Sequence, residues 1–225
     1  MKYYELAIKG LYLDHLIFQS ESEISPLSEV IVDLKTRKNC KAIVLKQCEK
    51  PNFTTKDIKE ITPLSLSKEQ FILAEFISYY HSTKLGFVLS LFESSKPYQC
   101  EIFKTQNAPI LSPKQEEALN FLKQEQNALL FADTGSGKTE IYITLIKESL
   151  EKGQQVLLLM PEISLTPQMQ KRLSLYFGED FFMWHSKISK KKKKESLEKF
   201  NEGKALLIAG ARSALFLPFR NLGLI

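Results

Sequence analysis

Apolar residues recur at short, near-alternating intervals through the first hundred positions and at longer, helical or run-like intervals after them. The early runs, 3–9, 16–20, 29–34 and 41–46, are rich in strand formers and are broken by Gly10, the Ser/Glu stretch 20–25 and Pro26. Strands this short and closely spaced predict a small barrel or sheet. A helix is predicted over 67–80, where Phe71, Ala74, Ile77 and Ser78 fall at helical spacing. Residues 1–100 therefore read as a small β-rich domain with one or two helices. The stretch 93–109, holding Ser94, Ser95, Pro97, Asn107 and Pro109, has the composition of a connection, and 101–110 is assigned as the linker.

From Leu111 the period changes. Ser112-Pro113-Lys114-Gln115 is a helix start with an N-cap serine, a proline in the first turn and a glutamine at N3. An apolar run at 128–132 predicts a strand, followed by a Gly-rich turn, a helix over 138–151 and a strand over 156–160. Another helix begins near Thr166-Pro167, and short strands are expected near 181–184 and 205–209. Strands alternating with helices mean a parallel sheet, so the second domain, 111–225, is α/β.

Composition narrows the class without naming a chemistry. The hydrophobic share is 44% and the charged share 25%, which excludes a disordered chain and a disulfide mini-scaffold. No apolar run approaches the roughly 18–20 residues of a membrane-spanning helix. The start, Met1-Lys2-Tyr3-Tyr4-Glu5-Leu6, is not a signal leader. Cys40, Cys48 and Cys100 form no C-x-x-C pair and fit reduced thiols in a cytoplasmic chain. The net charge of +5 is local: Lys187, Lys190 to Lys194 and Lys199 stand against Glu195 and Glu198, and the remaining 24 basic residues balance 24 acidic ones. That segment is either a solvated helix face or a phosphate-backbone contact.

The strongest chemical signal is Ala132-Asp133-Thr134-Gly135-Ser136-Gly137-Lys138-Thr139, a phosphate-binding loop with alanine at its first glycine position. Gly135 and Gly137 let the backbone turn its N–H groups toward phosphate oxygens. Lys138 reaches the β- and γ-phosphates, the Thr139 hydroxyl ligates Mg²⁺, and the following helix adds its positive end. The cofactors expected are ATP and Mg²⁺, held by Asp133, Thr134, Gly135, Ser136, Gly137, Lys138 and Thr139. Gln115 either completes the helix cap alone or also reads the adenine.

Downstream, Pro161-Glu162-Ile163-Ser164-Leu165-Thr166-Pro167-Gln168, Trp184-His185-Ser186, Ala211-Arg212-Ser213-Ala214-Leu215-Phe216, Pro218-Phe219 and Asn221-Leu222-Gly223-Leu224-Ile225 follow the loop in order. This ordered set closely resembles the bacterial replication-restart helicase (PriA) family over about 111–225. The resemblance implies an incomplete first RecA-like lobe of an ATP-driven 3′→5′ DNA helicase that recognises stalled forks and starts primosome assembly. It also implies DNA contacts at Ser164, Thr166, His185, Ser186, Arg212 and Ser213. In residues 1–100, Leu13-Asp14 with Phe18, the stretch Ile58-Lys59-Glu60, and Tyr79-Tyr80-His81 with Leu85-Gly86 resemble the family's domain for the DNA 3′ end, which adds Asp14, Phe18 and Lys59 to the DNA-binding set. Implied partners are stalled forks, DNA 3′ ends, single-stranded DNA, a single-stranded-DNA-binding protein and primosome or helicase-loading proteins.

Three departures stand out. No winged-helix domain separates the two parts. Asp33-Leu34-Lys35-Thr36-Arg37 replaces the family's Pro-Phe-Gly turn. The sequence stops where the acidic D-E-x-H box is expected, so the second lobe and the family's structural zinc cysteines are expected beyond it, and no ATP turnover is expected from these 225 residues alone. Bland roles stay open: Trp184 and His185 finishing a buried strand, Arg212 in a surface ion pair, Tyr79 and Tyr80 in a core. A non-catalytic fork-DNA-binding module and another superfamily 2 translocase or P-loop kinase are the alternative functions.

Overall fold

The computed structural model describes residues 1–102, 108–161, 167–178, 181–186, 188–204 and 206–225. The chain divides into two compact units: residues 1–97 with 216–220, and residues 98–215 with 221–225. The boundary falls before the expected linker. Tyr98 already belongs to the second unit, where its hydroxyl accepts from Gln155 Nε2 at 2.9 Å.

The first unit is built on β1 (Lys2–Ile8), β2 (Leu16–Ser20), β3 (Ser28–Val32), β4 (Cys40–Cys48), β5 (Lys56–Asp57) and β6 (Glu60–Ser65), in the sheet order β5-β2-β1-β4-β3-β6. The two edges are joined by consecutive residues: Ile58 N–H donates to Gln19 O on β2 (2.8 Å), and Lys59 N–H donates to Ile31 O on β3 (3.0 Å). Of the small barrel or sheet expected, the closed barrel is found. Strand alternation sorts its side chains. Tyr4, Leu6, Ile8, Phe18, Val30, Ala42 and Val44 fill one core. Ala7 and Ile43, pointing the other way, pack with Leu66, Ala74, Val88, Leu89 and Phe92. The latter cluster carries α1 (Lys68–Tyr80) and α2 (Leu85–Leu89). Tyr79 and Tyr80 are exposed at the end of α1, so the core role open to them in sequence does not apply. A capping box starts α1, with Ser67 Oγ accepting from Gln70 N (3.1 Å) and Gln70 Oε1 accepting from Ser67 N (3.0 Å).

Residues 216–220 complete this unit. Phe216 packs edge-on against Phe92 at 5.1 Å, and Leu217 O accepts from Gln70 Nε2 at 3.2 Å. Arg220 reaches Ser65 O and Ser95 O, both at 2.7 Å, and Ser95 Oγ at 2.9 Å. Beneath them Glu29, 1% exposed, lies 3.1 Å from both Lys9 Nζ and Lys41 Nζ and accepts from Ser94 Oγ at 2.8 Å.

The second unit holds α3 (Pro113–Gln124), α4 (Lys138–Glu151), β7 (Gln155–Leu159), α5 (Pro167–Phe177), β8 (Phe181–Trp184), α6 (Lys190–Asn201), β9 (Leu207–Gly210), a 3₁₀ turn (Arg212–Phe216) and β10 (Leu222–Leu224). Its sheet is parallel, in the order β10-β7-β9-β8. Ile143, Ile146 and Leu150 of α4 and Leu173 and Phe177 of α5 bury against Val156, Leu207 and Ala209 of the sheet. The α/β class and the RecA-like parallel lobe stand. The strand expected at 128–132 is a correction: that run joins no ladder, and Leu129 and Phe131 are 87% and 92% exposed. The physical reason lies in the sheet edge. A strand is held by its neighbours' N–H and C=O groups, and among the described residues β10 pairs only with β7.

Burial works against ionisation of Glu29, but the charges of Lys9 and Lys41 and the Ser94 hydrogen bond outweigh it and hold the carboxyl below its usual value. A depressed folded-state value stabilises the fold above the unfolded carboxylate pKa of roughly 4.3 and loses that effect as pH falls through the folded value. Glu29→Ala leaves the Lys9 ammonium buried without its counter-ion and is expected to cost about 3 kcal/mol. Urea unfolding at pH 7 measures the loss, and at acid pH the gap between variant and parent should shrink.

Candidate nucleotide site

The loop 133–137 enters α4 through two left-handed glycines, Gly135 and Gly137, each at φ +85°. A non-glycine residue pays for that conformation, and at Gly137 an added Cβ would also collide with Gln115 Nε2. Gly137 is the N-cap of a 14-residue helix, so the first amides of α4 have no intrahelical acceptor and the positive end of the helix lies at the loop. Ser136 N–H donates back to Asp133 O (3.3 Å), which closes the turn. Lys138 Nζ donates to Ala132 O (2.6 Å) and Asp133 O (2.8 Å), so the ammonium is held at the loop by the carbonyls that open it. Thr139 follows in the first turn of α4.

Gln115 meets this loop from α3. Its Oε1 accepts from Ser112 N–H at 2.7 Å, closing the expected capping box, and its Nε2 donates to Ser136 O (3.4 Å) and Gly137 O (3.2 Å). A second tie, which the sequence did not disclose, joins Glu140 in the first turn of α4 to Arg172 of α5. Only an unremarkable acid next to the Lys138-Thr139 pair and an arginine on a helix face announced it.

The donor set fits Mg²⁺-ATP on these grounds. Left-handed glycines, orphan helix amides and a lysine at the loop are what a polyphosphate anion needs, with Thr139 as the hydroxyl available to a metal ion. Bound Mg²⁺-ATP would supply the phosphoryl-transfer chemistry, and this chain's residues would bind and orient the phosphates.

The expected DNA contacts fall into three groups. His185 and Ser186 follow β8, and Arg212 and Ser213, both exposed, open the 3₁₀ turn after β9. Trp184 pairs with Gly210, and Ala211 N–H donates to Trp184 O at 3.0 Å, so these segments are neighbours at the C-terminal edge of the sheet. That edge is where open α/β sheets take ligands. Trp184 is buried and finishes its strand, with Lys193 of α6 over its ring. Ser164 and Thr166 lie outside the described residues.

In the first unit the assigned residues part ways. Asp14 caps α2, accepting from Leu85 N–H (3.1 Å) and Gly86 N–H (2.6 Å). Lys59 donates to Asn39 Oδ1 in the β3–β4 turn, where Asp33 Oδ1 accepts from Asn39 N–H at 2.8 Å. The segment replacing the Pro-Phe-Gly turn thus sits beside Lys59. Phe18 is corrected: it is 4% exposed inside the barrel, since its position on β2 points it inward with Tyr4 and Leu6.

Residues 112–223 match the DEAD/DEAH box helicase family. Over 225 residues the chain is 41% identical to the replication restart protein PriA of Helicobacter pylori (strain ATCC 700392 / 26695), covering 94% of this chain and 36% of that protein. It is 36% identical to the replication restart protein PriA of Rickettsia felis, covering 97% of this chain and 35% of that protein. With the corresponding protein of Bacillus subtilis the identity is 40% over 135 residues, 57% of this chain and 17% of that protein. The chain spans about a third of the length of the first two relatives. Among the described residues no helix is long and apolar enough to cross a membrane.

Asp14→Ala removes both acceptors from the first turn of α2 and should lower stability by about 1–2 kcal/mol. Thermal melting measures the loss. An unchanged midpoint would show that the cap is not structural.

Proposed function

Because the chain belongs to the PriA family of replication restart proteins, we propose that it provides the ATP-binding lobe and the DNA-end domain of a 3′→5′ DNA helicase acting at stalled forks. Residues 133–139 bind the ATP phosphates, Lys138 neutralises their charge and Thr139 holds Mg²⁺. The edge carrying His185, Ser186, Arg212 and Ser213 faces the DNA backbone, and Ser164 and Thr166 are assigned the same role. Asp14 and Lys59 serve the 3′ end from the barrel. Single-stranded-DNA-binding protein and primosome or helicase-loading proteins are the partners of this reading, and the cytoplasm is its compartment. ATP turnover requires positioning of the transferred phosphoryl group from every side.

The observation that carries the reading is the glycine-lysine loop on α4, with Lys138 Nζ already gathered at its mouth. One observation favours a non-catalytic fork-DNA-binding module as second reading: the barrel closes on itself, while the run 128–132 leading into the loop pairs with no strand.

Fluorescent ATP with Mg²⁺ should bind the chain, and Lys138→Ala should weaken it at least about tenfold, the scale of one lost charge-assisted contact. Equal binding by the variant would defeat the nucleotide reading. The lysine segment gives a separate test on DNA. On α6, Lys193 lies over Trp184 and Lys194 pairs with Glu198 at 3.8 Å, so the five lysines face different ways. Changing Lys190 to Lys194 to glutamine should reduce the salt slope of DNA binding by no more than about two or three units. A drop of about five units would show an extended basic arm in place of a helix face.

A further inference from the structure

Gln115 is bound at both ends of its carboxamide. The oxygen is taken by Ser112 N–H and the nitrogen lies on the carbonyls of Ser136 and Gly137. Helix capping accounts for the oxygen alone. The nitrogen's two contacts bear on the loop itself. Among the described residues no peptide bond is cis, and in a trans peptide the C=O and the N–H of the next residue point in opposite directions. Turning Ser136 O and Gly137 O toward α3 therefore turns the N–H groups of Gly137 and Lys138 away from it. Those amides belong to the loop and the first turn of α4, at the positive end of the helix. Gly137 contributes by lacking a side chain, since a Cβ would displace the carboxamide nitrogen.

We propose that Gln115 is a positioning residue for the phosphate loop: its carboxamide, oriented by the cap of α3, sets two peptide planes so that their N–H groups serve a polyphosphate anion. This rests on the nucleotide reading above. It assigns Gln115 an effect on phosphate binding that is independent of any base, with the backbone N–H of Ser112, not its hydroxyl, orienting the carboxamide.

Inorganic tripolyphosphate, which has no base, isolates that effect. Its affinity is measured by calorimetry alongside ATP and GTP, each with Mg²⁺. Gln115→Met keeps the length of the side chain and removes the donor; Gln115→Asn keeps the amide and shortens its reach. Both should weaken tripolyphosphate by about fivefold, the effect of one or two lost hydrogen bonds. Ser112→Ala weakens the helix cap, leaves the Gln115 carboxamide in place and should leave tripolyphosphate affinity unchanged. Tripolyphosphate binding at the parent level in both Gln115 variants, with only the preference for ATP over GTP altered, would overturn the proposal in favour of a base-reading role. Weakening by Ser112→Ala equal to that of Gln115→Met would overturn it in favour of a capping role. Lys138→Ala separates the premises: if the parent binds tripolyphosphate no better than this variant, the nucleotide reading itself fails.

Discussion

A loop that binds phosphate through its backbone has to hold its peptide planes in orientations that leave their N–H groups exposed together, against the tendency of those groups to find partners nearby. In this chain the loop proposed for that role meets the constraint from both sides. Two glycines at φ +85° permit the bend, Lys138 draws the carbonyls of Ala132 and Asp133 to itself, and Gln115 draws those of Ser136 and Gly137. The N-terminal end of α4 then supplies the orphan amides. The rest of the second unit keeps α3 and α4 where this can happen: α4 buries Ile143, Ile146 and Leu150 on the sheet, and Arg172 of α5 ties down Glu140 beside the loop.

The first unit solves a different problem. A six-stranded sheet of short strands has two edges exposing unpaired backbone, and residues 58 and 59 remove both by bonding β2 and β3 in succession. Lys59 is therefore fixed by the closure, and its ammonium is turned to Asn39 and the neighbourhood of Asp33. Asp14 is fixed as firmly by the amides of α2. Residues that a family resemblance marks as DNA contacts are here also parts of the scaffold, which is why their substitution has to be read through stability first.

The strand and helix periods were legible wherever a segment carried its own pattern. β8 spans 181–184 as expected, and the cap of α3 follows from Ser112 with Gln115. The glycine turn leading into α4 was legible for the same reason, since Gly135, Gly137 and Lys138 are local to it. The strand at 128–132 was not, because an apolar run becomes a strand only beside a neighbour, and pairing is not written in the run itself. Phe18 was misassigned because an aromatic near Asp14 gives no sign of which barrel face it occupies; only register with β1 decides that. Residues 216–220 were hidden for another reason: their partners, Gln70, Phe92 and Ser95, lie over a hundred positions earlier.

Residues 133–139 are proposed as the place where this chain meets a nucleotide. Backbone amide NMR during titration with Mg²⁺-ATP tests it most directly, because the nuclei observed are the proposed donors. Saturable shifts are expected at Gly135, Gly137, Lys138 and Thr139, the largest in the spectrum and in a direction that reports hydrogen bonding to phosphate. Saturable shifts elsewhere, with those four amides unmoved, would contradict it.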